Sequence, residues 1–152
     1  MALKKRHSML RILSKGGILS PSAFLKILAV AGKAGNSTIS FGSRQDIIFA
    51  LPKWCTDEVL NELNQLHLEY VVEVPKDKKR QNIVTSFAST DIQASTQWLN
   101  SGNYTQILEL FNYPHVLRVN LADPLQSMVP LFYGHLNFVA SPQKHYWYLY
   151  LR

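Results

Sequence analysis

Among 152 residues there is a single cysteine, Cys55. One thiol can form no intrachain disulfide, no Cys-x-x-Cys zinc site and no cysteine-ligated cluster. Placed between Trp54 and Thr56, it reads as a small buried apolar residue. Long apolar runs are missing too: no stretch reaches the roughly 18 residues that span a membrane. The basic start, Lys4-Lys5-Arg6, is not followed by an apolar segment and a cleavage site. The expected location is therefore cytoplasmic, with no membrane partner. Glycine-rich phosphate loops and nucleophile elbows are absent. The histidines, His7, His67, His115, His135 and His145, have no metal-ligand spacing, so no metal site is expected. No residue identifies itself as catalytic.

What remains is the composition of a folded, basic domain. A chain of this length buries roughly 70% of the surface its unfolded form exposes. Hydrophobic residues make up 47% and charged residues 17%, which excludes a disordered chain. The net charge of +6 suits an anionic partner, whether nucleic acid, an acidic protein or a small oxyanion. Part of that charge lies in Lys4-Lys5-Arg6 and part in Lys76–Arg80, which reads as a solvated loop.

Periodicity and turn chemistry predict the element order. Residues 7–14 read as a strand, stopped by Lys15-Gly16-Gly17. Ser20-Pro21 is a helix start, with a serine cap and proline at the first helical position. Phe24, Ile27, Leu28 and Ala31 line one face of that helix, and Gly35-Asn36 ends it. Strands follow at Ser37–Phe41 and Asp46–Leu51, around Gly42-Ser43-Arg44-Gln45. Thr56 is expected to cap a second helix, with Asp57 and Glu58 in its first turn and Val59, Leu63 and Leu66 as its stripe. Residues 70–74 form the next strand, closed by Pro75. The fold class is α+β: a ferredoxin-like β-α-β-β-α-β unit over 7–75, with both helices on one face of an antiparallel sheet, followed by a partial α/β layer over 80–152. In that layer Asn82–Phe87 and Val116–Leu121 read as strands. Gln93–Trp98 and Tyr104–Phe111 read as helical pieces broken at Asn100–Asn103. Leu136–Ala140 and Tyr146–Leu151 read as a hairpin.

Four segments, in order, resemble the siroheme class of nitrite and sulfite reductases. Met9-Leu10-Arg11 leading to Gly16-Gly17 is similar to that family's opening strand and Gly-Gly turn. Ser43-Arg44-Gln45 resembles its Thr-Arg-Gln signature. Arg80-Gln81-Asn82-Ile83-Val84 is similar to the Arg-Asn-Val step into the siroheme domain. His135-Leu136-Asn137-Phe138-Val139-Ala140 resembles the segment before its later strand. The resemblance implies an N-terminal ferredoxin-like half-domain plus the start of a first siroheme-domain repeat, within a longer oxidoreductase. Siroheme and an iron–sulfur cluster would belong to the parent. None is expected on this chain, because the family's cluster takes four thiolates.

By the same resemblance Arg44, Arg80, Arg118 and Arg11 are the cofactor- or oxyanion-contacting candidates. Planar guanidinium groups bind oxyanions and carboxylates in bidentate fashion. Where the family's opening strand has two arginines one residue apart, this chain has Arg11 and Leu13. The implied partners are a second pseudo-repeat of the parent and a small oxyanion, and Arg44 and Arg80 are expected to share one crevice. Two other classes stand beside this reading. One is a non-catalytic scaffold that binds no haem. The other is an RNA-binding ferredoxin-like module, disfavoured because Asp46–Leu51 has one aromatic and no Lys/Arg-Gly-Phe/Tyr pattern. Tyr146–Leu151 is apolar and β-prone, which predicts self-association through that strand.

Overall fold

The computed structural model describes residues 7–73, 83–87, 94–111, 117–126 and 133–152. These fall into two compact units. One holds residues 7–14 and 18–73. The other holds 15–17 and the described residues from 83 onward. No helix among the described residues is long and apolar enough to cross a membrane.

The first unit is α+β. Its elements are β1 (His7–Leu13), α1 (Pro21–Lys33), β2 (Ser40–Phe41), β3 (Ile47–Pro52), a 3-10 turn (Lys53–Cys55), α2 (Thr56–Gln65) and β4 (Glu69–Glu73). The four strands make an antiparallel sheet in the order β2-β3-β1-β4. Alternation along β1 sends Leu10 and Ile12 to one face, and along β3 it sends Ile47, Phe49 and Leu51 there. Both helices cover that face: Ile27, Val30 and Ala31 of α1 and Val59 and Leu63 of α2 join those strand residues in one buried core. The expected β-α-β-β-α-β order and the one-sided helix layer are both present.

Local chemistry explains the ends of α1. The Ser20 side chain accepts from the Ala23 N–H, and Pro21 opens the helix. At the other end Asn36 N–H reaches Ala31 O and Gly35 N–H reaches Gly32 O, a Schellman motif. Asn36 then does more than stop a helix. Its side-chain amide donates to Ala50 O at 2.8 Å and accepts from Ala50 N at 3.2 Å. A side chain thus occupies the ladder position that backbone of the preceding strand would have filled. This is why β2 is two residues long rather than the expected five of Ser37–Phe41.

The start of α2 also differs from expectation. Thr56 is the first helical residue, not the cap. Its hydroxyl donates back to Pro52 O at 3.1 Å, and Cys55 holds the cap position without a side-chain capping bond, its Sγ donating to Pro52 O at 3.5 Å. The 3-10 turn after Pro52 carries the chain straight into the helix and leaves no cap to fill.

The second unit is a mixed sheet. Its elements are β5 (Ile83–Thr85), α3 (Ser101–Leu110), β6 (Val119–Ala122), β7 (Leu136–Ala140) and β8 (Trp147–Leu151), with strand order β5-β6-β7-β8. The first three strands are parallel and β8 is antiparallel to β7. The 136–151 hairpin is present as expected. Two helical readings are corrected. Residues 94–98 form no helix, because the Thr96 N–H and hydroxyl both turn to the Asp123 carboxylate, at 2.7 and 2.8 Å. Asn100–Asn103 is not a break but the start of α3, where Asn100 and Asn103 side chains reciprocally bond each other's backbone N–H. Asp123 is fully buried and also accepts from Leu125 N, while its own N–H donates to the Ser86 hydroxyl. Ser86 lies 3.5 Å from the Tyr104 hydroxyl. This polar network closes the carboxyl ends of β5 and β6.

Candidate functional site

The stretch around Arg44 is a tight hairpin between β2 and β3. Gly42 N–H donates to Asp46 O, and Gln45 N–H donates to Gly42 O, at 2.8 and 2.9 Å. Ser43 and Arg44 are the two central residues of that turn, and Gln45 follows with φ 61°. A tight turn followed by one left-handed residue is a common three-residue hairpin connection. Its geometry puts Arg44 at the tip.

Two side chains from β1 and its end fasten this tip. The Ser14 hydroxyl donates to Gln45 O at 2.7 Å. The Arg11 guanidinium pairs with the Asp46 carboxylate. Asp46 is completely buried, and the Arg11 side chain is 14% exposed. Arg11 and Asp46 both lie on the sheet face opposite the helices, by the same alternation that buries Leu10 and Ile47 on the helix side. A Cβ on Gly42 would overlap the Asp46 carboxylate. Only glycine leaves room for that buried charge beneath the turn.

The four arginine candidates are thus placed differently. Arg44 is half-buried at the hairpin tip. Arg11 lies beneath the same hairpin, committed to Asp46. Leu13, which takes the place of the second arginine, is buried. Arg118 belongs to the second unit and is exposed, and its backbone N–H donates to His135 Nδ1 at 2.9 Å. Arg80, with the Lys76–Arg80 run, lies outside the described residues, as does Val116. Asp123 and His135 are each engaged with backbone groups.

Sequence reasoning missed Asp46 and Ser14. Asp46 reads as the first residue of a strand. The signal was that it is the only acid between Ser37 and Thr56, directly before the apolar run Ile47-Ile48-Phe49. Gly16 is a packing position. It bridges Val84 in the second unit, and a Cβ there would meet Leu108 at 2.7 Å.

The helix-free face of the first sheet presents Met9, Arg11, Ile48, Ala50 and Val71. Phe49 and Tyr70 face the helix side, and Phe41 stacks on Phe24 of α1 at 6.2 Å. No aromatic ring stands on the open face among the described residues.

Residues 1–66 match the nitrite/sulfite reductase ferredoxin-like half domain. That segment is a member of this family. Among curated proteins there is no match. The matched residues run from β1 through α2, so the Arg44 hairpin, Arg11, Ser14 and Asp46 all lie inside the half domain. Cys55 lies inside it as well, buried in the core. Burial pushes its thiol above the ordinary range, the opposite of what a ligating or nucleophilic thiolate needs. The residues present therefore do not fit an iron–sulfur cluster. Arg44 sits on a turn braced by Ser14 and by the Arg11–Asp46 pair.

Proposed function

We propose that this chain supplies one cationic wall of a siroheme/oxyanion site of the nitrite/sulfite reductase kind, and that it is inactive alone. The family match over residues 1–66 carries the reading. The Arg44 hairpin supports it, because Ser14 and Arg11 brace the turn that carries Arg44. Siroheme, when bound, supplies the redox chemistry at its iron. The chain's own part is to offset negative charge on the haem carboxylates or the oxyanion. The cluster ligands would come from a second pseudo-repeat of a longer polypeptide, since one buried cysteine cannot provide four thiolates. By the sequence resemblance Arg80 and Arg118 remain further candidates for contact with such a group.

A second reading rests on a specific observation. Arg11 is consumed by Asp46, and apolar Leu13 replaces the neighbouring cation. That combination also suits a scaffold that binds no haem. A nucleic-acid role gains no support, because base stacking needs aromatic residues on the open sheet face.

Sulfite titration followed by amide resonances separates the two. In the reductase reading, sulfite shifts residues 43–46 with a dissociation constant of about 1 mM or weaker, as a partly exposed charge contact allows. Arg44→Ala abolishes the shifts. A chain whose 43–46 amides ignore sulfite, or respond equally in Arg44→Ala, is a scaffold. Reduced viologen should drive no nitrite or sulfite turnover on either protein.

A further inference from the structure

Among the described residues three side chains other than glycine sit on left-handed backbone: Gln45 at φ 61°, His67 at 53° and His145 at 68°. His67 directly follows the end of α2, and His145 lies in the turn closed by Ser141 and Tyr146. Histidine is among the residues enriched in this region of backbone space, and glutamine is not. In a hairpin of the Gly42–Asp46 kind the left-handed position usually holds glycine, which escapes the clash of a Cβ with the following carbonyl.

Gln45 does not choose that conformation; its surroundings impose it. Its N–H donates to Gly42 O at 2.9 Å, and its C=O accepts from the Ser14 hydroxyl at 2.7 Å. The next residue, Asp46, is buried against Arg11. Glycine would make all of these ties and relieve the strain. A glutamine side chain is kept where the backbone disfavours it, directly after Arg44, and residues strained in this way gather at ligand sites.

We propose that the Gln45 carboxamide is the second donor of an anion subsite at the Arg44 hairpin, a role that rests on the function proposed above. The ligand class is a group with at least two anionic oxygens, as sulfite and a haem carboxylate both have. The Arg44 guanidinium offsets the charge. The Gln45 amide N–H group donates to a second oxygen without adding charge. A lone guanidinium takes any small anion. A guanidinium beside a carboxamide favours spaced oxygens over a spherical halide.

The test uses the full chain at constant ionic strength. Sulfite, propionate and chloride are titrated separately against the amides of residues 43–46. Gln45→Gly should raise the melting temperature by about 3 °C, because the strain is relieved. It should also weaken binding about tenfold, the loss of one charge-assisted hydrogen bond. The opposite signs are the signature, since a side chain that merely stiffened the turn would lower both. Gln45→Ala keeps the strained backbone without the carboxamide, and should lose the same affinity with no rise in melting temperature. A stronger response to sulfite assigns the subsite to the oxyanion, and a stronger response to propionate assigns it to the haem carboxylate. Unchanged affinity in both Gln45 variants, with the response still lost in Arg44→Ala, overturns this proposal alone and leaves the reductase reading standing. Amides that ignore both sulfite and propionate overturn the two together. A lower melting temperature in Gln45→Gly, or chloride binding as well as the oxygen anions, also overturns the role of Gln45.

Discussion

Replacing Arg11 by leucine should destabilise the half domain by about 3–4 kcal/mol at pH 7, within the usual cost of removing one partner from a buried ion pair. The structure sets the size. Asp46 has no solvent exposure; one carboxylate oxygen meets Arg11, and the other has no hydrogen-bond partner among the described residues. Without Arg11 the buried carboxylate has one escape, protonation. An aspartate with an ordinary pKa of about 3.9 pays about 4 kcal/mol to stay neutral at pH 7, at roughly 1.4 kcal/mol per unit. That figure caps the loss and gives it a pH signature. In the variant the folded state holds a proton that the unfolded state releases above about pH 4. Its stability therefore improves as pH falls, and the deficit shrinks to about 1.5 kcal/mol at pH 5. Urea unfolding followed by tryptophan fluorescence at both pH values measures this, because Trp54 lies in the same unit. Arg11→Leu combined with Asp46→Leu should recover most of the loss, since replacing both charges removes the desolvation cost. A single-variant loss under about 1 kcal/mol, or one equal at pH 5 and pH 7, refutes the buried-pair argument.

Three further outcomes follow from the same geometry. Burial pushes the Tyr104 hydroxyl up to about 12 from 10.0. Its stabilising contribution is thus complete below about pH 10 and lost as pH rises toward 12, by up to roughly 3 kcal/mol; alkaline unfolding should show it, and Tyr104→Phe should abolish that component. Asp123→Ala strands the Thr96 N–H, the Thr96 hydroxyl and the Leu125 N–H. Three orphaned donors at about 1 kcal/mol or more each predict a thermal shift of many degrees, and a shift of a degree or two contradicts the network. Cys55 should react with an aromatic disulfide reagent only after unfolding, because it is buried and its thiolate is disfavoured; fast labelling of the native chain contradicts that placement.

The half domain was legible where local chemistry and burial agree. Ser20-Pro21 and Gly35-Asn36 mark α1 because capping and turn rules act within a few residues. Strand alternation at Leu10, Ile12, Ile47 and Phe49 marks the buried face. What escaped depends on side chains reaching across the sequence. Asn36 shortens β2 by bonding Ala50, fourteen positions away. Thr96 leaves its helical reading for Asp123, 27 positions on. Arg44 could be singled out because its turn is local. The Arg11–Asp46 tie beneath it spans 35 positions, so the brace that Arg11 makes could not be read from its own segment. The parallel pairing of β5, β6 and β7 escaped for the same reason, since short apolar strands do not carry their partners in their own pattern.

In the function proposed above, Arg44 lines a siroheme-facing wall whose cofactor is held mainly by other residues. A siroheme titration of the purified chain, read by amide resonances in parallel with Arg44→Ala, tests it most directly. Weak, rapidly exchanging shifts at residues 42–46 and along β1, lost in the variant, are expected, with a protein that leaves purification colourless. Tight binding that leaves a coloured chain would contradict it, as would siroheme shifts that bypass the hairpin or survive the loss of Arg44.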